Sequence, residues 1–147
     1  MSTLLTQARN SGVCPKGCDT TLKNSRELDL LRDIQERVFR AKVAEKYLAL
    51  SETTSDKGLN QLAFDAILFY LMNIGELVRK LDSNFLAKHS LMPWREIIGL
   101  RNRLAHDYNS ISSEVVRGTL EKPLDQLLEF CIKSISQEKK LLDKKHV

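Results

Sequence analysis

The chain has 147 residues, with 23 lysines and arginines against 19 aspartates and glutamates, and 42% of its residues are hydrophobic. That length suits one domain around one core, and the ratio of apolar to charged residues excludes an intrinsically disordered chain. Gly and Pro are scarce, at six and three, which favours helices; a net charge of +4 permits contact with nucleic acid without demanding it.

Residues 1 to about 25 carry little periodicity and a cluster of breakers, namely Asn10-Ser11-Gly12, Pro15 and Gly17. They are expected to form a flexible N-terminal extension. Cys14 and Cys18 lie in this stretch without a second ligand pair nearby, so they read as unpaired thiols, and neither a metal nor a cofactor is expected. Met1 to Val13 lacks the continuous apolar core of a signal peptide. The longest apolar run, Ala66 to Met72, is too short to span a bilayer. The expectation is a cytoplasmic protein with no membrane contact.

From Ser25 the pattern changes. Ser25 can cap a helix, and Leu31, Ile34, Val38, Ala41 and Leu48 recur at helical spacing to about Leu50. Residues 51–58 are polar and read as a loop. The next helix, about Leu59 to Leu81, is apolar on nearly every side through Ala63, Phe64, Ala66, Ile67, Leu68, Phe69, Leu71 and Ile74. A helix of that kind needs cover all round, and a second subunit is a natural cover for one side. Pro93 fits the first turn of a third helix that continues from Trp94 to about His106. Ser112 or Ser113 caps another, and Pro123 splits the last helical stretch, which runs to about Leu142. The fold class expected over 26–147 is all-α, an antiparallel bundle of four to five helices.

The third helix breaks its own pattern once. Trp94, Ile97, Ile98, Leu104 and Ala105 form an apolar stripe, and Arg101 sits inside it. A guanidinium cannot shed its charge, so it must meet an anion or a wet groove. The plain structural explanation is an ion pair with Glu76 on the neighbouring helix, and a role in chemistry can coexist with it. His106 follows five residues later, about 140° away in azimuth and about 7.5 Å along the axis, while Asn102 shares its face.

These residue types suit metal-independent cleavage of RNA. Histidine titrates near neutrality and serves as base or acid. Arginine forks onto phosphate oxygens. Asn102 can orient His106 or donate to a phosphate oxygen, and Tyr108 can hold the phosphate or stack on a base. The expected products are a 2′,3′-cyclic phosphate and a 5′-hydroxyl. Asp107 is expected to pair with Arg103 four residues earlier; an outward-facing Arg103 would instead track RNA phosphates. Trp94 and Cys131 read as packing residues.

The run Ile97 to Tyr108, with Arg101, four residues, His106, one residue and Tyr108, resembles the HepT-like HEPN-domain toxins. The resemblance extends through Met92-Pro93-Trp94, Asn73-Ile74-Gly75-Glu76 and Leu31-Arg32-Asp33-Ile34, covering about Leu28 to Ile135. It departs after the tyrosine, where relatives carry an aromatic and a glycine and this chain has Asn109-Ser110. The resemblance implies a helical-bundle homodimer whose composite ribonuclease site takes Arg101 and His106 from both subunits. It implies a cognate MNT-type nucleotidyltransferase antitoxin, in a type VII-like toxin–antitoxin pair, that transfers AMP to Tyr108. Two other readings stand beside it: a catalytically silent HEPN module that binds a nucleotide or partner, and a helical interaction protein in which Arg101 and His106 are structural.

Overall fold

The computed structural model describes residues 20–146. Helix α1 spans Thr20–Thr54, α2 Lys57–Arg79, α3 Ser83–Lys88, α4 Trp94–His106, α5 Ser113–Glu121 and α6 Pro123–Lys145, with a 3-10 turn at Tyr108–Ser110. There is no strand among the described residues. The all-α bundle is therefore present, with five helices of nine residues or more and one of six. The expected extension and its Cys14 and Cys18 lie, up to residue 19, outside the described residues.

α1 is the longest element and pairs with both α2 and α6. The stripe expected from its spacing is the one buried: Leu31, Ile34, Val38, Ala41 and Leu48 all turn inward. Its ends differ from expectation. The helix begins at Thr20, before the anticipated Ser25 cap, and it runs through Thr54 across half of the expected loop. The polar residues there do not leave the helix because they bond to its own carbonyls. Ser51 donates to Leu48 O at 2.6 Å, Thr53 to Leu50 O at 2.8 Å and Thr54 to Leu50 O at 2.9 Å. Hydroxyls that compete with a helix elsewhere thus serve its last carbonyls here. Ser51 is buried and also accepts from Asn60 Nδ2 at 3.0 Å, joining α1 to α2. The reversal itself takes two residues, Ser55 in the left-handed region at φ 55° and Asp56, whose carboxylate caps α2 by accepting from Leu59 N at 2.9 Å.

α2 packs between α1 and α4. Length and composition would let it cross a membrane, but Ala63, Ile67, Leu68, Leu71, Ile74, Gly75 and Val78 are spent on the bundle core. Two sides are covered in this way. A third keeps Leu62 and Phe69 exposed, at 68% and 53%.

The short α3 escaped the sequence reading because six residues carry too little periodicity to register. Asp82 caps it, and its Phe85 ring, His89, Phe130 and Trp94 form a chain of edge-on and tilted ring contacts. Trp94 Nε1 donates to His89 O at 2.8 Å, so Trp94 is a packing residue at the start of α4 as expected. Pro93 stands one place outside that helix, as its N-cap residue. Ser112 caps α5 through Val115 N, and Pro123 opens α6. Lys42 bolts that corner to α1: its ammonium donates to Leu120 O at 2.6 Å and lies 2.8 Å from Asp125. Cys131 is fully buried, and burial pushes its thiol up to about 12.

Candidate active site

Helix α4 carries the candidate residues, and its angular positions sort them into two groups. Leu100 and Leu104 face the core, which turns Arg101 toward α2 and leaves Asn102, Arg103 and His106 outside. Arg101 crosses α2 at Gly75. A Cβ placed on Gly75 would lie 2.2 Å from Arg101 Cβ and 2.8 Å from its Cγ, closer than atoms can pack. The missing side chain lets the stem of Arg101 lie flat on α2, and its guanidinium reaches the carboxylate one residue on. Both Nε and Nη2 of Arg101 bond Glu76 Oε1, while Nη1 donates to Asn102 Oδ1 at 3.0 Å. Arg79 is a second, looser partner of the same carboxylate at 3.8 Å. The expected Arg101–Glu76 pair is thus real. It is semi-buried, with 22% of the Arg101 side chain and 39% of that of Glu76 exposed.

The second group faces a cleft of about 490 Å³ at the C-terminal end of α4. Asn102, Arg103, His106 and Asp107 form one wall, and the other comes from the 3-10 turn and the start of α5, through Ser110, Ile111, Ser112 and Val115. Asn102 links the two groups, with its side-chain oxygen held by Arg101 and its position on the cleft wall. Arg101 itself does not line the cleft.

One expected contact is not made. Arg103 and Asp107, four residues apart, do not pair. The reason is backbone geometry: Asp107 is the residue after α4, with φ −150° and ψ 72°, so the helical register that would bring the two side chains together ends before it. Arg103, His106 and Asp107 are all exposed, and among the described residues none has a side-chain hydrogen bond or ion pair.

Tyr108 opens the 3-10 turn next to this wall and is 40% exposed. Partial burial raises its phenol above the ordinary tyrosine value, and the Asp65 carboxylate on α2 adds to the rise. The Asn109-Ser110 departure makes a compact turn: Ser110 N and Oγ both donate to Asp107 O at 3.3 Å.

The model of a family described as ribonuclease HepT-like matches residues 28–134. The chain belongs to the ribonuclease HepT-like family. It is 39% identical over 67 residues to the protein named Putative RNase TTE0752 of Caldanaerobacter subterraneus subsp. tengcongensis, a match covering 46% of this chain and 59% of that relative. Two proteins of Methanocaldococcus jannaschii are similar over 85 residues and 54% of this chain: Putative RNase MJ0127 at 28% identity over 70% of its length, and Putative RNase MJ1380 at 32% over 76%. The chain therefore spans less than two thirds of the first of these relatives. No solved structure matches it.

In this HepT-like chain the structure brings Asn102, Arg103 and His106 to one cleft and sets Arg101 and Glu76 behind them at the helix crossing. Gly75 belongs to the Asn73-Ile74-Gly75-Glu76 motif, to which spacing alone assigns no task. Its signal was a glycine in the middle of a long apolar helix, a position that costs about 1 kcal/mol against alanine and so asks for a close approach.

Proposed function

We propose that this chain is a metal-independent endoribonuclease toxin that cuts RNA at the α4 cleft. The observation that carries the reading is the His106 imidazole, exposed on a cleft wall with no side-chain partner among the described residues, beside an Asn102 held by the anchored Arg101. His106 removes the proton from a ribose 2′-hydroxyl, O2′ attacks phosphorus, and the bond to O5′ breaks. The leaving oxygen takes its proton from a second acid, and His106 of a second copy is the natural supplier. Asn102, on the cleft wall and held there by Arg101, donates its Nδ2 hydrogens to the phosphate oxygens as charge develops on them. A homodimer is supported by the exposed apolar residues Phe39, Tyr47, Leu62 and Phe69 on the α1–α2 face. Tyr108, exposed and adjacent to the cleft wall, is the acceptor we propose for AMP from an MNT-type nucleotidyltransferase antitoxin. An adenylate there would put bulk and negative charge where the RNA phosphate sits.

The Arg101–Glu76 pair favours a second reading, since a guanidinium satisfied inside the protein is less free to bind phosphate: a silent module that holds a nucleotide or partner. One experiment separates them. Purified protein incubated with RNA should yield 2′,3′-cyclic phosphate and 5′-hydroxyl ends, and His106→Ala should lower the rate by roughly 10²–10⁴-fold with its helical content unchanged. RNA left intact by the wild-type protein rejects the enzyme.

A further inference from the structure

Two opposite charges that ought to pair face one cleft without touching. Arg103 and Asp107 both line it, both are exposed, and neither has a side-chain partner among the described residues. A phosphate alone would leave the Asp107 carboxylate without a donor. A neutral ligand with an acceptor edge and a donor edge suits it well. The opposite wall offers the partly buried Ile111 and Val115, apolar surface for the face of a flat ring. The cleft volume lies within the roughly 300–1,000 Å³ usual for small-molecule sites.

We propose that this cleft reads one RNA base beside His106 and selects guanine, with Arg103 and Asp107 as its specificity-determining residues; the inference rests on the nuclease reading for placing that base next to the scissile phosphate. Guanine alone among the four bases presents two adjacent acceptors, N7 and O6, and two adjacent donors, N1–H and N2–H₂. The first pair takes a guanidinium fork and the second a carboxylate. Adenine sets a donor beside N7 and turns it against Arg103. Uracil offers each charge a single bond at most, and cytosine, whose O2 and N3 can take the fork, has only its N4 amino group for Asp107. The base must be unstacked to enter, so the substrate is single-stranded RNA.

The test is titration of the full chain with GMP, IMP, AMP, CMP and UMP, which share one phosphate and differ in base. GMP should bind roughly tenfold or more tighter than AMP, with IMP, which lacks the N2 amino group, in between, and with NMR shifts at Ile111 and Val115. Asp107→Ala should erase the difference between GMP and IMP, and Arg103→Ala should shrink the difference between IMP and AMP without erasing it, because N1 donates to Asp107 only in IMP. Equal affinities, no binding at all, or shifts elsewhere overturn the proposal. Mapping cut sites on a random-sequence RNA keeps the two claims apart. Cleavage indifferent to base removes the guanine subsite and leaves the nuclease. GMP selectivity in a protein that cuts nothing retains the subsite and removes the nuclease.

Discussion

Arg101 and Arg103 stand two residues apart on one helix and have opposite fates. Arg101 lies at the α2–α4 crossing with Glu76 and Asn102 on its guanidinium and Gly75 beneath its stem. Arg103 stands at the mouth of the cleft with no side-chain partner among the described residues. Helix geometry makes the difference, since a step of two residues turns a side chain by about 200°. A charge withdrawn from water must be paired, because leaving it alone costs several kcal/mol. A charge left in water costs nothing unpaired and remains available to a ligand. The two regions do complementary work: the crossing sets the position of the α4 wall, and the mouth supplies the reactive groups.

The largest expected effect breaks the crossing. Gly75→Ala gains about 1 kcal/mol of helix propensity, but its Cβ meets the root of the Arg101 side chain, which cannot swing aside as a side-chain tip would. Prying two packed helices apart outweighs that gain, and a net loss of about 3 kcal/mol is expected in urea denaturation. Gly118 on α5 has open space where its Cβ would go. There the same substitution should stabilise the protein by about 0.5–1 kcal/mol. If Gly75→Ala and Gly118→Ala shift stability in the same direction, the close crossing is not what holds α4.

The contrast also shows what a sequence can display. The α1 stripe and the Pro123 break were legible because each is a local pattern of polarity or backbone restriction. The Arg101–Glu76 pair was legible because a charge inside an apolar stripe demands an anion. The unpaired state of Arg103 and Asp107 was not, for it depends on one backbone dihedral at the helix end, where spacing arguments assume the helix continues. Nor was the length of α1, since Ser51, Thr53 and Thr54 read as loop until their hydroxyl partners are seen. The cleft joins α4 to the turn and α5, and such a juxtaposition leaves no periodic trace.

A second prediction sets interior against surface by pH. The buried Cys131 thiol is pushed up to about 12, against 9.0 for a free thiol. The native state therefore keeps its proton where the unfolded chain releases it. Stability from this group is full below pH 9 and falls as pH rises toward 12, by roughly 1.4 kcal/mol per pH step at most. Urea denaturation between pH 8 and 11 should show an alkaline loss in the wild-type protein that is smaller in Cys131→Ala. Equal slopes in the two proteins would mean that the thiol reaches solvent.

The smallest effect is the sharpest test of the comparison. Glu76→Gln removes the charge that answers Arg101 but keeps a hydrogen-bonding group of the same shape. Both partners are partly exposed, so the loss should be about 1 kcal/mol rather than the several expected of a fully buried pair. Asp107→Asn makes the same chemical change at the mouth, where no described residue pairs with it, and should stay within about 0.5 kcal/mol of wild type. Raising salt should shrink the Glu76→Gln loss only in part, because solvent screens the half-sheltered pair incompletely. Should Asp107→Asn cost as much as Glu76→Gln, Asp107 has a partner in solution. The cleft wall would then be internally neutralised, with no free carboxylate to offer a base.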